Sequence, residues 1–445
     1  MSWTQPVLKP MTAVDRDALY RKISRRIVPF LVICFVVAFL DRVNISYAKF
    51  QMQQDLGFGD AVYGLAAGVF AIGYVLFEIP SNLLLARYGA RRTFVRIMVC
   101  WGLVSMAMMF VTEPMHFYVL RILLGVFEAG FYPGLMLYLA YWFPSRHYAK
   151  AVSWFIAGSS IAGLIGGPLS GWIMRDMAGV LGLHGWQWMF FLEALPAIFL
   201  GAVAYFYVSD SPGSARWLSA EEKAALTRDL AAENHTHANA RSDSFRAALR
   251  NPIIYIFAAI YFAVNCAAYG LVLWLPSLVH ATGVGSVFEV GLLSAIPNVV
   301  GAVGIILLCR HSDATGERRW HFLASASIGA LALLTLTVTT RSLPLTIIAL
   351  SVAVIATYSL LPIFWATPHA FLTGSAAAGG LALISSIGQL AGFVSPYVMG
   401  LTKAHTASFS LGLSLMAIVL FVGALVMAVV LPWQREAVQA VGDLR

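Results

Sequence analysis

Long apolar runs divide the chain: 24–49, 61–86, 93–112, 115–142, 150–174 and 187–208, then 252–279, 288–309, 320–339, 343–366, 375–400 and 409–431. A helix rises 1.5 Å per residue, so about 20 apolar residues cross the ~30 Å hydrocarbon core of a bilayer. The pattern therefore predicts an all-α integral membrane protein of twelve transmembrane helices, arranged as two six-helix halves. Five segments follow: a tail (1–23), a first half (24–208), a polar linker (209–250), a second half (251–432) and a second tail (433–445). Within the linker, "SAEE" (Ser219 to Glu222) has the spacing of a capping box and predicts the start of a short amphipathic helix.

Composition agrees with lipid as the main solvent. Of 445 residues, 60% are hydrophobic and only 11% charged, against about 25% charged in an average soluble domain. The net charge of +8 raises the question of nucleic acid, and the positions of the charges answer it. Sorted by the predicted spans, 23 Lys and Arg fall on the side of the termini and linker, and four on the other (Lys49, Arg175, Arg341 and Lys403). Positive-inside bias then puts both termini and the linker in the cytoplasm, and a nucleic-acid partner drops out. The four cysteines (Cys34, Cys100, Cys266 and Cys309) sit in or beside apolar runs without metal-type spacing and read as small hydrophobes. The first span is too long for the apolar core of a cleavable signal. No G-x-x-x-x-G-K-[ST] occurs to suggest ATP-driven work.

The informative residues are charges inside the spans, each of which costs about 2.5–3.5 kcal/mol on insertion scales. Asp41 and Arg42 lie past the middle of the first span, in "FLDRVN". In the fourth, "RILLGVFEAG" places Arg121 and Glu128 seven residues apart, on one helical face and ~10 Å apart along the axis. A static ion-pair network between these spans is the structural explanation. Four charges concentrated in two spans favour instead a site that binds an anion and exchanges protons. With both acids ionised the four groups are neutral. Protonating Asp41 and Glu128 would leave two arginines for a carboxylate. Among other intramembrane acids, Glu78 in "FEIPSN" is as well placed for a gate-closing hydrogen bond as for transport chemistry. Glu193, after "WQWMFF", reads as a residue of the membrane boundary.

"FLDRVNISYA", "GYVLFEIPSNLLLARYGARR", "RILLGVFEAGFYPG", "SPGSARWLSAEEK" and "SDATGERRWH" together resemble the anion:cation symporter family of the major facilitator superfamily, from about Arg25 to Pro432. "FWATPHAFLTGSAAAGGLALISSIGQLAGFVSPYVMG" is similar to bacterial permeases for tartrate-like and hydroxyphenylacetate-like acids. The resemblance implies that Arg42 contacts the substrate carboxylate, that Asp41 and Glu128 are the proton-coupling groups, and that Arg121 pairs with an acid in the empty site. It implies that Tyr74, Trp365 and Gln389 line the substrate cavity, with Ser159 where some sugar-acid relatives carry a larger polar side chain. The superfamily loop signature is degenerate at "NLLLARYGARR", which contains Arg91, and keeps Asp313 in "SDATGERR".

Weaker signals have alternatives. Asn265 and Tyr269, four residues apart, are placed to face the cavity from the seventh span, while Asn298 beside Pro297 can satisfy a kinked backbone. "GLIGGPLSGW" (Gly163 to Trp172) loosely resembles a drug-antiporter signature, but its small residues suit close helix packing better. Trp154, Trp274 and Trp365 suit an aromatic wall or an interface, and His369 reads as a solvated loop residue. The expectation is a proton-coupled importer of a small organic anion in the bacterial inner membrane, working as a monomer without cofactor or metal. The alternatives are an aromatic-carboxylate symporter and a drug/proton antiporter. No motif suggests an enzyme.

Overall fold

The computed structural model describes residues 13–237, 249–368 and 376–442; His369, the stretch 369–375 and the outer parts of both tails lie outside them. The first half comprises α1 (Ala13–Val43), α2 (Ile45–Leu56), α3 (Asp60–Tyr88), α4 (Ala90–Ala107), α5 (Pro114–Glu128), α6 (Phe131–Ala140), α7 (Ser145–Asp176) and α8 (Gly185–Tyr207). After the linker helix α9 (Ala220–His237) come α10 (Pro252–His280), α11 (Val287–Thr315), α12 (Arg319–Thr339), α13 (Leu343–Trp365), α14 (Ala376–Gln389), α15 (Ala391–Thr406) and α16 (Ser410–Gly442). Eleven helical segments among the described residues are long and apolar enough to cross a membrane. The 32-residue α7 stands where the fifth predicted span falls, completing twelve.

The predicted linker helix is built as its sequence requires. Ser219 N–H donates to Glu222 Oε2 (2.8 Å) and Glu222 N–H to Ser219 Oγ (3.1 Å), closing the capping box at the start of α9. Lys22 pairs with Glu222 at 2.8 Å, and Tyr20 donates to Asp229 at 3.0 Å. The start of α1 and the linker helix therefore share one end of the bundle, here called the linker face; the opposite end is the far face.

Three predicted spans are not single straight helices. The first bends at Asn44 between α1 and α2, the fourth breaks at Ala129–Gly130 between α5 and α6, and the eleventh breaks at Leu390 between α14 and α15. Gly130 has φ of 81°, in the left-handed region, and a Cβ there would sit 2.6 Å from Ser81 Oγ. Only glycine meets both demands. Broken spans in transporters gather near the substrate site, and the residues flanking these breaks show the same clustering.

The halves meet through small residues. Gly64 of α3 abuts Gly400 of α15, and Gly163, Gly167 and Gly171 of α7 line up against Asn298, Gly291 and Phe288 of α11. The close packing expected for Gly163 to Trp172 is therefore present, and it joins the two halves. Asn298 Nδ2 donates to the carbonyls of Ser294 (3.0 Å) and Gly163 (3.5 Å), so it serves backbone rather than cavity. These contacts all fall in the far-face half of the helices they join. A Cβ at Gly400 would stand 2.8 Å from Gly64 Cα, so Gly400→Val should wedge the far face open at a cost of ~1–3 kcal/mol of overpacking. A cysteine at the buried Ala67, with the four native cysteines replaced by serine, should then react faster with an impermeant maleimide supplied to the far face. An unchanged rate would show that this contact does not hold the halves closed.

Candidate functional site

Two of the breaks deliver a polar side chain to one cavity, and the third places Glu128 beside it. Arg42 lies two residues before Asn44, Glu128 is the last residue of α5, and Gln389 the last of α14. With Tyr74 and Ala71 of α3, Arg121 of α5 and Asn265 and Tyr269 of α10, they lie in or beside a cavity of about 220 Å³ between the halves. Asn265 and Tyr269 both line this cavity. Tyr269 Oη donates to Gln389 Oε1 at 2.6 Å, and Asn265 Nδ2 to the Gly388 carbonyl at 3.3 Å.

Electrostatics in the cavity centre on one ion pair. Arg42 donates to Glu128 Oε1 through Nε (3.0 Å) and Nη2. Glu128 is 1% exposed, and its Oε2 is buried without a hydrogen-bond partner. Arg121, equally buried, has no carboxylate within 4 Å among the described residues. Its Nε donates to the Ala66 carbonyl at 3.3 Å, and Nη1 has no partner. The expected pairing of Arg121 with an acid is thus taken by Arg42, whose guanidinium reaches Glu128 first. Phe70 holds both cations: Arg42 Cζ lies 5.3 Å and Arg121 Cζ 5.1 Å from its ring centroid, with Tyr74 5.2 Å from Arg42. Such contacts stabilise cations at sites poor in water. Phe70 carried no signal in the sequence because it is one apolar residue in an apolar run.

Asp41 is not in this cavity. Successive residues of a helix point about 100° apart, so Asp41 turns toward α4 as Arg42 turns toward α5. It is 1% exposed and accepts from Trp101 Nε1 (2.8 Å) and Ser105 Oγ (3.3 Å). Glu193 is not a boundary residue either: it is 5% exposed and accepts from Ser170 Oγ at 2.7 Å. Ser159, half-buried on α7, and Trp365, whose ring lies 5.0 Å from that of Tyr261, are not among the residues lining the cavity. Glu78 is half-buried on α3, one turn beyond Tyr74 toward the linker face. Arg91 joins α4 to the end of α8, donating to Asp210 (2.8 Å) and to the Val208 carbonyl (2.9 Å), and Asp313 pairs with Arg318 at 2.5 Å. Both are loop clamps well away from the cavity.

A second charged cluster escaped the sequence reading, which took Lys49 for a residue outside the spans. Lys49 is 2% exposed on α2. Its Nζ lies 2.7 Å from Asp60 Oδ1 and 3.2 Å from Ser277 Oγ, and 4.0 Å from the centroid of Trp274. Lys403 of α15 reaches the same Asp60 oxygen at 3.3 Å, and Tyr63 Oη donates to the Leu273 carbonyl at 2.8 Å. Asp60 and Tyr63 belong to the first half, and Lys403, Ser277 and Leu273 to the second. One carboxylate therefore ties the halves together at the far face.

Residues 31–396 match the family model of the Major Facilitator Superfamily. The chain belongs to that superfamily. It is a multi-pass membrane transporter of small molecules, not an enzyme. A candidate tartrate transporter of Agrobacterium vitis is 44% identical over 91% of this chain and 93% of its own length. NicT of Pseudomonas putida, a candidate metabolite transport protein, is 41% identical over 92% and 93%. The quinolone resistance transporter of Acinetobacter baumannii is 39% identical over 92% and 94%. Among solved structures, the xylose transporter XylE from E. coli in a partially occluded inward-open conformation superposes with a TM-score of 0.72. It shares 16% identity, over 91% of this chain and 97% of that one, and supports the fold. The superfamily and the likeness to organic-acid permeases expected from the motifs are both met.

The far-face cluster gives a stability test for this transporter. Asp60→Asn leaves the buried Lys49 without its anion and should destabilise by about 3 kcal/mol, seen as a lower unfolding temperature in detergent. Lys49→Met added to Asp60→Asn should recover part of the loss, because the unpaired charge is gone. A double variant no more stable than Asp60→Asn alone would contradict a paired Lys49.

Proposed function

We propose that the transporter is a proton-coupled symporter that imports a small organic anion, a sugar acid or a hydroxy-dicarboxylate such as tartrate. It would work by alternating access in the bacterial cytoplasmic membrane, as a monomer, with termini and linker in the cytoplasm. The observation that carries this reading is the charge balance around the cavity: two guanidinium groups, Arg42 and Arg121, line it, and one carboxylate, Glu128, is bonded to Arg42 behind that lining. A site with an uncompensated cation, and donors left without partners, suits an anion and disfavours a cationic drug. Relatives named for tartrate and metabolite transport point the same way. The volume of about 220 Å³ falls below the roughly 300–1,000 Å³ typical of drug-sized pockets. The aromatic walls, Phe70, Tyr74 and Tyr269, favour an aromatic carboxylate as the second reading.

Coupling follows from the Arg42–Glu128 pair. While Glu128 is ionised it occupies Arg42, and only Arg121 can serve an incoming carboxylate. A proton on Glu128 releases Arg42, so that two guanidinium groups converge on the anion in bidentate geometry. Proton and anion binding then favour each other, reciprocally. Contacts between the halves at the far face, including the Asp60 cluster, support a reading in which the opposite, linker face opens to the cytoplasm, where a more alkaline compartment would draw off the proton and with it the anion.

Proteoliposomes test this directly. Labelled tartrate should accumulate when the outside is acidic, and Arg42→Ala should abolish both uptake and the thermal stabilisation of the purified protein by tartrate. Glu128→Gln should lose accumulation while keeping counterflow exchange. Stabilisation by aromatic acids but not tartrate would favour the second reading. Stabilisation only by lipophilic cations would contradict an anion site.

A further inference from the structure

On the side of α1 turned away from the cavity lies a second cluster of buried polar side chains, contributed by α1, α2, α4, α7, α8 and α11. Asp41 and Glu193 are its acids, and their hydrogen-bond donors are neutral: Trp101 and Ser105 for the first, Ser170 for the second. No Lys, Arg or His lies within 4 Å of either carboxylate among the described residues. Glu193 Oε2 is buried without a partner, as are both amide atoms of Asn44, which is 1% exposed and close enough to interact with Glu193. Ser294 Oγ of α11, wholly buried and also unpartnered, stands beside Tyr47 of α2. Glu193 lies near enough to Asp41 and Tyr47 to interact with them. The titratable groups of the cluster are thus two carboxyls and the Tyr47 phenol, with Glu128 of the cavity side near Asp41; α4, α7 and α11 contribute only neutral donors.

Burying two carboxylates without a cation costs far more than hydrogen bonds to a tryptophan and two serines return. A proton removes that cost. It would form an O–H bond at Glu193 Oε2, the oxygen that now lacks a partner, with Asn44 as the adjacent acceptor, and it would come from hydronium of the bulk solvent, leaving water. We propose that Glu193 is a second proton-binding residue of the transporter, beside Asp41, whose proton coupling the family resemblance already implies, and that it acts as a coupling residue that touches neither cavity nor substrate. The inference rests on the proton-coupled reading and deepens it. Asp41 and Arg42 lie in the last turn of α1 and Asn44 at the bend that follows it, so the charge state of this cluster acts on the helix turn that carries Arg42. Ser170, the donor to Glu193, precedes Gly171, whose backbone abuts Phe288 of the other half. Rocking of the halves would disturb the Glu193 hydrogen bond and admit water for exchange.

The test uses the full chain in nanodiscs and proteoliposomes. Infrared pH titration without substrate should show a protonated-carboxyl carbonyl band at neutral pH in the wild type. Glu193→Gln or Asp41→Asn should remove it, and Ser170→Ala should shift its frequency. In proteoliposomes, Glu193→Gln should lose pH-driven tartrate accumulation and keep counterflow, a split that a packing defect would not give. The Ser170→Ala and Asp41→Asn spectra decide the matter if Glu193→Gln does not fold. A band unchanged in these variants, with normal accumulation in Glu193→Gln, would overturn the second site and leave proton coupling through Glu128 intact. If the wild type shows no pH-driven uptake, the symport reading fails instead, and the infrared band still reports whether the cluster holds a proton.

Discussion

An arginine and a glutamate that neutralise each other in a membrane interior organise the rest of this transporter. Arg42 and Glu128 come from the first and fourth spans, and their hydrogen bonds fix how those spans face each other across α3. Neither charge is tolerable there alone, because stranding one partner of a buried pair costs about 3–5 kcal/mol. The pair is therefore a constraint with a built-in release. A proton on the acid, or an anion on the base, can replace the missing partner. Arg121, held by the Ala66 carbonyl and the face of Phe70, adds a cation that the pair leaves uncompensated.

The backbone serves this arrangement. Helix breaks at Asn44, Ala129–Gly130 and Leu390 fall beside Arg42, Glu128 and Gln389, so the places where the spans lose regularity are the places that present polar groups to the cavity. Rigid-body closure is assigned to other residues. Glycines on α3, α7, α11 and α15 bring the halves into backbone contact, and Asp60 holds lysines from both halves. The chemistry sits midway along the helices, while the device that closes the far face lies near their ends. Movement of one half against the other can then change access to the cavity without dismantling it.

The sequence carried the spans, the linker helix and the polar residues of the cavity wall: Arg42, Tyr74, Arg121, Asn265, Tyr269 and Gln389. Twelve apolar runs sufficed for the first, and the Ser219–Glu222 spacing for the second. Arg121 and Glu128, seven residues apart, were bound to share a face of α5 whatever the tertiary structure. Asp41 and Arg42 are the opposite case. Adjacent positions diverge on a helix, and nothing in "LDRVN" says which neighbour each will meet; only the placement of α4 and α5 sends one to Trp101 and the other to Glu128. Lys49 looked like a residue beyond the membrane because its partner, Asp60, stands at the start of the next helix and the rings that cover it come from α3 and α10. Glu193 followed aromatic residues typical of an interface, although its burial is set by Ser170 on another helix. Each difference arises from contacts between helices, which periodicity along one helix does not encode.

Anion and proton enter together because a proton on Glu128 releases Arg42, and the anion then takes the place of the carboxylate on that arginine. Calorimetric titration of tartrate into the purified transporter, repeated at one pH in two buffers of different ionisation enthalpy, counts the protons exchanged on binding. The account predicts net proton uptake and affinity that weakens as the pH rises. Binding without proton uptake, or with affinity that strengthens at high pH, would contradict it.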